Sequence, residues 1–522
     1  MKATSIGHAG ILIDTAGGSI VCDPWFMPAF FGSWFVFPRN DQLSPELMHR
    51  IENPDYLYVS HLHGDHLDEL WLPHHINRDT TVLVPGYPTH ELERRLRGMG
   101  FGNIVRTVDG EELELGPKLR IAIHVETSIT DGPGGDSAIV VADDTALLVN
   151  QNDCRTNDLA ALRSHGPVDL HWLQYSGAIW YPMVYEESPE RMRQLVDAKV
   201  EHQFTRAMKY VDTIDARAVV PSAGPPAFLD PDLYHLNVIT GHELSIFPDQ
   251  RSFIARLAAV GRQGVMAIPG TEIDVRSGDI TVTHPLPDPE VSDIFEHKDA
   301  YLRRYQADWM PWLDTLKANW HKPTPHLLAT VKAWWEPLLA MAPTLCAAVG
   351  DRCVIHTGDL SIVIDFPTGQ VREWVGESHA FRFSIPRELV ETVVAERAVD
   401  WSNALLLSCR FTAWRAGAFN EYLYNFLKSL SVERMRRAEA EANRKLDPDR
   451  GGIADEEIQF GDYMVQRTCP HRQADLAVFG EVEDGELVCT LHGWRFDLAT
   501  GTCLTADDRK LRVRRVGEAP TA

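Results

Sequence analysis

The first part of the chain alternates short apolar runs with turn residues, which is typical of β-strands joined by tight connections. Ile11-Leu12-Ile13 and Ile20-Val21 flank Ala16-Gly17-Gly18, and this pattern predicts a β-hairpin. Further strands are predicted at 56–60, 81–84, 121–123, 138–141 and 146–149, with helical periodicity at 89–98 and 188–211. Strands interleaved with helices predict an α/β layered domain over residues 1–285.

Two further domains are predicted downstream. Pro285, Pro287 and Pro289 mark a boundary, after which a Trp-rich helical connection leads into short strands and a helical stretch. We therefore expect a small α+β domain over 286–450. The charged segment 433–441 predicts a helix that runs into a linker at 447–452. A third domain is expected over 451–522.

Composition limits the class of protein. The chain has 522 residues and a net charge of −24, which excludes nucleic acid as a general partner but leaves a small anionic substrate open. We find no apolar run long enough to cross a membrane and no apolar signal core after Met1, so we expect a cytoplasmic protein that does not bind membranes. Eight cysteines are too few for a disulfide framework.

Two Cys-His pairs near the C-terminus carry the clearest chemistry. Cys469-Pro470-His471 is followed downstream by Cys489-Thr490-Leu491-His492. Two thiolates and two imidazoles are the ligands of a Rieske [2Fe–2S] centre, whereas a zinc ribbon is the alternative. The continuation Gly493-Trp494-Arg495-Phe496-Asp497 resembles Rieske ferredoxins and Rieske oxygenases. The resemblance implies an all-β Rieske domain whose cluster is held by Cys469, His471, Cys489 and His492.

A second metal motif lies near the N-terminus. His61-Leu62-His63-Gly64-Asp65-His66 directly follows a predicted strand and could direct three imidazoles and a carboxylate at one point. Such donors suit zinc, iron and other first-row metals. The motif resembles the signature of the metallo-β-lactamase fold, and 6–10 with 22–26 resemble the first hairpin of that family. The resemblance implies an αββα sandwich.

The same resemblance implies a ligand set. His61, His63 and His124 would hold a first metal, and Asp65, His66 and Asp153 a second. A buried strand histidine is the alternative for His124, and a turn residue is the alternative for Asp153. Glu126, on the same strand as His124, is a candidate ligand or catalytic base, with a surface carboxylate as the alternative. The last histidine ligand of the family stays open among His165, His171, His202, His235 and His242.

The two motifs together resemble the CMP-N-acetylneuraminate hydroxylase family, and segments 168–178 and 220–228 share the resemblance. In that family the Rieske domain comes first, whereas here it comes last. The middle domain resembles a sterol-carrier-like module. The resemblance implies an iron-dependent monooxygenase in which a ferredoxin or reductase supplies electrons. They would pass through the cluster to one or two irons, and O2 would be used to hydroxylate a C–H bond or oxidise an amine nitrogen.

Several expectations remain open at this stage. A zinc-dependent hydrolase with a regulatory cluster and a redox sensor or electron-transfer protein are the rival functions, and a homo-oligomer is compatible with the sequence. The aromatic segment 25–35 could roof the pocket or form part of the core, since an oxygen-activating site must exclude water. The basic run 509–515 could dock an acidic electron donor or form the solvated face of a final strand.

Overall fold

The computed structural model describes residues 1–127, 135–156, 158–276, 279–446, 456–471, 473–506 and 509–518. The chain divides into two compact units, one formed by Met1–Trp320 with Ser402–Arg410 and the other by His321–Trp401 with Phe411–Ala522. The predicted linker at 447–452 lies outside the described residues. Among the described helices, none combines the length and the apolar character that a membrane crossing requires.

The first unit contains an eight-stranded sheet in the order β14-β13-β1-β2-β3-β4-β5-β6. Its strands are β1 (Lys2–Gly7), β2 (Gly10–Thr15), β3 (Gly18–Cys22), β4 (Tyr56–Tyr58), β5 (Thr81–Val84), β6 (Ile104–Arg106), β13 (Glu272–Arg276) and β14 (Asp279–Thr283). The predicted hairpin is present as β2 and β3, which pair antiparallel from Ile11↔Cys22 to Thr15↔Gly18. From β3 to β6 the strands are parallel, so their carboxyl ends lie along one edge.

A six-stranded sheet in the order β12-β11-β10-β9-β8-β7 forms the second layer. Its strands are β7 (Glu112–Gly116), β8 (Leu119–Glu126), β9 (Asp136–Ala142), β10 (Leu147–Asn152), β11 (Leu170–Gln174) and β12 (Ala218–Ser222). Here β7 to β10 pair antiparallel, whereas β10, β11 and β12 run parallel. The carboxyl end of β10 delivers Asn152 and then Asp153.

The main core lies between the two sheets, where Ile11, Ile13 and Ile20 pack with Ile121 and Ile123. Alternate residues of a strand share a face, so one face of each sheet supplies this core. The helices of this unit are α1 (Pro45–Glu52), α2 (Leu72–His75), α3 (Glu91–Gly98), α4 (Leu159–Arg163), α5 (Pro189–Ile214), α6 (Gln250–Ala259), α7 (Asp288–Glu296) and α8 (Lys298–Ala318), with a 3-10 turn at Tyr234–Leu236. Helices α2 and α3 pack on the outer face of the first sheet, and α5 and α6 contact β11 and β12. The predicted αββα, metallo-β-lactamase-like fold is confirmed.

Helices α7 and α8 belong to the first unit, which continues past the predicted boundary at 285. The reason is a separate aromatic core in which Phe35 and Phe37 pack with Leu302, Tyr305 and Leu313 of α8. Periodicity alone did not reveal this, because the partners of α8 lie in a loop far back in the sequence.

A buried ion pair joins the segment Ser402–Arg410 to the rest of the first unit. Arg410 Nη1 lies 2.6 Å from Asp230 Oδ2, and Lys317 Nζ lies 2.5 Å from the same oxygen. The Asp230 side chain is fully buried. Removing one partner of such a pair leaves the other charge buried and poorly compensated.

We therefore expect Arg410→Ala to lower the free energy of unfolding of the first unit by about 3 kcal/mol. Denaturant unfolding followed by tryptophan fluorescence would measure this. Arg303→Ala, which removes an exposed arginine paired with Asp299, is the control and should cost less than about 1 kcal/mol. Equal stability of the two variants would contradict the expected role of the Arg410 pair.

The second unit begins with an α+β module. Its five-stranded sheet has the order β17-β16-β15-β18-β19. The strands are β15 (Arg352–His356), β16 (Ser361–Asp365), β17 (Gln370–Glu373), β18 (Phe381–Ser384) and β19 (Thr412–Arg415), and the helices are α9 (Leu327–Met341), α10 (Pro343–Val349), α11 (Arg387–Ala395), α12 (Glu421–Leu427) and α13 (Val432–Leu446). Trp335 lies fully buried against Trp401 and Phe426. The Trp-rich segment therefore serves partly as core. A 3-10 turn at Leu406–Ser408 belongs to the first unit.

The C-terminal module of the second unit is all-β apart from one short helix, α14 (Leu476–Phe479). One antiparallel sheet contains β20 (Glu457–Phe460), β21 (Tyr463–Gln466) and β25 (Val513–Arg515). The other contains β22 (Gly480–Glu483), β23 (Glu486–Cys489) and β24 (Trp494–Asp497). The predicted all-β module is confirmed.

Candidate metal centres

The histidine loop lies where strands of both sheets end. Asp23 directly follows β3, the loop follows β4, and Asp153 directly follows β10. His8 follows β1 with a φ of 53°, and Asn152 at the end of β10 has a φ of 40°. Because these left-handed residues turn the chain sharply at the strand ends, side chains from separate strands converge there.

Two groups of donors form at this point. The ligand atoms of His61, His63 and Asp153 all lie within 4.8 Å of one another, and so do those of His8, Asp65 and His66. A distance of 3.3 Å between His66 Nε2 and Asp153 Oδ1 joins the two groups. The arrangement could therefore hold two adjacent metal ions.

Several donor atoms of these groups have no aligned hydrogen bond within the described residues. They are His61 Nε2, His63 Nε2, His66 Nε2, Asp65 Oδ1 and Asp153 Oδ1, and all are buried. An unsatisfied buried polar atom costs about 1–3 kcal/mol, and metal ions bound at the two groups would satisfy these atoms. Nitrogen and carboxylate oxygen donors without a thiolate fit iron and zinc alike.

A hydrogen-bond network orients the ligand histidines from behind. Asp23 accepts hydrogen bonds from Ser60 N and Ser60 Oγ, both at 2.7 Å, and its Oδ2 lies 3.0 Å from His66 Nδ1. His61 Nδ1 lies 2.9 Å from Ser60 Oγ, and Tyr87 donates a hydrogen bond to the Ser60 carbonyl. Such contacts fix the ring orientation and leave Nε2 of each histidine to face the metal position.

Charge is concentrated in this buried pocket. Burial and the neighbouring His61 lower the pKa of His63 to about 3. Although burial opposes it, contact with His66 and His8 lowers the pKa of Asp65 to about 2. Burial would raise the pKa of Asp153, but the neighbouring His66 and His61 outweigh that effect and hold this pKa well below its ordinary value. The free-energy cost of keeping such charges buried is offset where carboxylates and imidazoles face one another.

Two residues outside the predicted ligand set join the site. His8 Nε2 lies 3.0 Å from Asp65 Oδ2, and Asp136 Oδ1 lies 3.2 Å from His61 Nδ1. Burial raises the pKa of Asp136 to about 6. Both had a signal in the sequence: His8 lies in the segment 6–10 that resembles the first hairpin of the metallo-β-lactamase family, and Asp136 comes two residues before the strand predicted at 138–141.

The structure does not bring His124 to the other predicted ligands. Ile121 and Ile123 of β8 face the core between the sheets, and the strand alternation directs His124 to the opposite face. There its Nε2 lies 2.8 Å from Nε2 of His165, whose Nδ1 lies 3.1 Å from Glu112. His124 thus contacts His165 and, through it, Glu112. From the same sheet, Asp136 of β9 contacts His61.

The other open histidines also lie outside both donor groups. His171 Nε2 contacts Gln151 at 2.9 Å, and His242 contacts the backbone carbonyl of His235. Glu126 is half-buried at the last position of β8, opposite Asp136 in the strand register. Its role as a base stays a prediction.

We expect His124→Gln to leave the metal content of the site unchanged. The reason is that the His124 ring contacts His165 and not the loop histidines. Metal analysis of the purified variant beside the native protein would measure this. His75→Gln, an exposed histidine on α2, is the control. Loss of metal from His124→Gln alone would restore His124 as a ligand.

The aromatic segment 25–35 covers the loop. A methyl group added at Gly64 would lie 3.6 Å from Ala29 and 3.8 Å from Phe30. Trp25 and Trp34 are buried, and Trp25 packs edge-on against His8 at 4.9 Å. The segment is therefore part of the core and also a wall next to the metal loop.

The second predicted centre lies in the C-terminal module. Cys489 ends β23, and Cys469 and His471 follow β21. A hydrogen bond from Cys469 lowers the pKa of the Cys489 thiol, so the two sulfurs face each other. The rings of His471 and His492 lie 5.0 Å apart at 89°, and His471 stacks on Trp494 at 4.1 Å. The two cysteines thus lie near each other, and so do the two histidine rings.

The imidazole edges at this centre also fit a cluster. Nδ1 of His471 and Nδ1 of His492 are both buried. Together with two buried cysteines, they supply two sulfur and two nitrogen donors. This set matches a Rieske [2Fe–2S] cluster.

Most of the basic run 509–515 has partners inside this module. Arg514 pairs with Glu457, Arg515 lies over Tyr463, and Arg512 N donates a hydrogen bond to Gln466 Oε1. The run contributes to β25, as the alternative interpretation predicted. Its use as a dock for an electron donor stays a prediction.

Family models match the second unit in two places. Residues 327–444 match the model described as Rv3818-like, SCP2-like domain, and residues 457–514 match the Rieske [2Fe-2S] domain. The latter shows a domain of the kind that binds a [2Fe–2S] cluster. The former agrees with the predicted sterol-carrier-like module.

Three known proteins show similarity to the chain. A Mycobacterium tuberculosis (strain ATCC 25618 / H37Rv) protein named "Putative Rieske 2Fe-2S iron-sulfur protein Rv3818" is 42% identical over 99% of this chain and 100% of its own. Cytidine monophosphate-N-acetylneuraminic acid hydroxylase of Danio rerio is 26% identical over 35% of this chain and 30% of its own. The alignment with the solved structure of CmlA, a diiron β-hydroxylase from Streptomyces venezuelae, covers 53% of this chain and 54% of the CmlA chain, with 16% sequence identity and a TM-score of 0.35.

The donor sets, the domain matches and the full-length similarity agree with one another. The match to the mycobacterial protein covers the metallo-β-lactamase-like domain, the SCP2-like domain and the Rieske domain in the same order. The chain therefore belongs to the family of Rieske 2Fe-2S iron-sulfur proteins that includes the Rv3818 protein.

Proposed function

We propose that this protein is a Rieske-type, iron-dependent monooxygenase. Electrons from a ferredoxin or reductase pass through the Rieske domain to one or two irons in the metallo-β-lactamase-like domain. There one oxygen atom of O2 would be inserted into a C–H bond or added to an amine nitrogen of a small molecule, and two electrons and two protons would convert the other atom to water. When bound, the [2Fe–2S] cluster would supply single electrons, and the iron would reduce dioxygen.

One observation carries the proposal: a single chain holds an electron-carrier ligand set and a separate buried set of nitrogen and oxygen donors. A hydrolytic metal site only activates water and has no use for electrons. A site that reduces O2 needs them one at a time. The name of the Danio rerio relative, a hydroxylase, fits the same chemistry.

The chain's own residues have definable tasks in this proposal. His61, His63 and Asp153 would hold one metal ion, and His8, Asp65 and His66 the other. Asp23 and Ser60 orient the imidazoles. The apolar wall from Ala29 to Trp34 excludes water on the side of Gly64, which protects a reactive site from side reactions.

The test uses the native full-length protein. Iron and zinc are measured per chain after growth with ample iron. The reduced protein is then prepared without oxygen, mixed with candidate small molecules and exposed to O2. We expect iron beyond the two atoms of the cluster, together with a product heavier by one oxygen atom found by mass spectrometry.

Two other results would overturn the proposal. Zinc in the loop site together with hydrolysis of a substrate, independent of O2, would identify a zinc-dependent hydrolase. Reversible reduction of the cluster with no O2 consumption above background, for any compound tried, would identify a redox sensor or electron-transfer protein.

A further inference from the structure

A buried carboxylate of the SCP2-like domain reaches a cluster ligand of the Rieske domain. Glu421 is the first residue of α12 and lies within the 327–444 match. Its side chain is 3% exposed, and its Oε2 lies 3.7 Å from Nε2 of His471. The buried Nδ1 of that ring is the atom that would bind the cluster, so Glu421 contacts the opposite nitrogen.

Two cations hold this carboxylate in place. Lys445 Nζ on α13 lies 3.2 Å from Glu421 Oε2, and Arg509 contacts Glu421 Oε1. Arg509 also donates hydrogen bonds to the carbonyls of Pro470 at 2.8 Å and His471 at 3.4 Å. Arg509 is therefore a buried bridge between α12 and the first cluster loop.

The His471 ring is fixed from its face as well as from its edge. It stacks on Trp494 at 4.1 Å with an interplanar angle of 14°, and the Arg509 guanidinium lies 5.3 Å from the centre of the Trp494 ring. The Glu421 carboxylate, paired with the cations of Lys445 and Arg509, is thus held next to the outer edge of a cluster ligand.

We propose that Glu421 is a positioning residue of the cluster, through which the SCP2-like domain fixes His471 and lowers the reduction potential of the [2Fe–2S] centre. A carboxylate on the Nε2 side increases the electron density of the imidazole, as hydrogen-bonded carboxylates do for metal-bound histidines. It also stabilises the oxidised, more positive state, because charges interact strongly where water is excluded. The inference concerns the cluster alone and does not depend on the oxygenase activity.

The test is a redox titration of the full-length protein, followed by absorption and electron paramagnetic resonance of the reduced cluster. We expect Glu421→Gln to raise the reduction potential, with at least a tenfold change in the ratio of oxidised to reduced cluster at a fixed potential. For a one-electron couple this corresponds to about 59 mV. The resonance positions of the reduced cluster should shift too.

A second variant is expected to change the reduction potential in the opposite direction. Lys445→Met removes a cation from the same carboxylate, so it should lower the potential. Glu441→Gln is the matched control: Glu441 contacts Lys445 at 2.8 Å on the same helix and should leave the spectrum of the cluster unchanged.

The proposal is overturned if Glu421→Gln keeps the native potential and resonance positions with a full cluster. If Glu421→Gln yields no folded protein, Lys445→Met decides: a potential that stays native or rises overturns the proposal. Glu421→Asp, which keeps the charge but shortens the side chain, should lie between native and Glu421→Gln.

Discussion

Asp153→Asn is expected to lower the metal affinity of the histidine loop by about 100-fold or more. Residues that merely orient a ligand already contribute 10- to 100-fold to affinity, and Asp153 is itself one of the converging donors. Asparagine keeps the volume but removes the negative charge that faces His66 and His61. Because Asp153 lies at 3.3 Å from His66 of the second group, both candidate positions should weaken together.

Metal analysis after dialysis against a graded series of chelator concentrations would measure the affinity. The control is Asp144→Asn, which changes an exposed aspartate paired with Lys118 and should behave as the native protein. Far-ultraviolet circular dichroism checks that the fold is kept. A folded Asp153→Asn protein with native metal content would remove this residue from the candidate ligands.

Cys489→Ser is expected to abolish the cluster while leaving the first unit folded. Cys489 is buried, ends β23 and faces the sulfur of Cys469. A serine hydroxyl is a poor substitute for a thiolate in iron–sulfur ligation. We expect cluster content to fall at least tenfold, which corresponds to about 1.4 kcal/mol or more of binding free energy.

Visible absorption and iron and sulfide analysis of the purified protein would quantify the loss. Cys503→Ser is the matched control, since Cys503 is also buried in the C-terminal module but is not among the four predicted ligands. It should keep the cluster. If Cys489→Ser held as much cluster as Cys503→Ser, the Rieske ligand assignment would be wrong.

The sequence was most informative where one short segment contained the whole feature. The hairpin of β2 and β3, the histidine loop after β4 and the two Cys-His pairs could all be predicted from contiguous residues. In each case the local pattern determines the structure: a turn between apolar runs, or ligands on a loop that follows a strand.

The sequence was least informative where the structure depends on which face of a strand is buried. His124 could be placed on β8, but only the packing of Ile121 and Ile123 between the sheets shows that His124 points away from the loop. His8 and Asp136 reach the site from strands remote in sequence. Likewise, the contact of Glu421 with His471 joins residues on separate domains, which no local pattern reveals.

The carboxylates around the histidine loop also suggest a charge balance. Asp23, Asp65, Asp136 and Asp153 all contact its histidines, and together they can carry four negative charges. Two divalent cations would neutralise them, whereas a single cation would leave two charges uncompensated in a buried pocket. Electrostatics therefore favours filling both positions, and metal analysis of this protein should find two ions at this site.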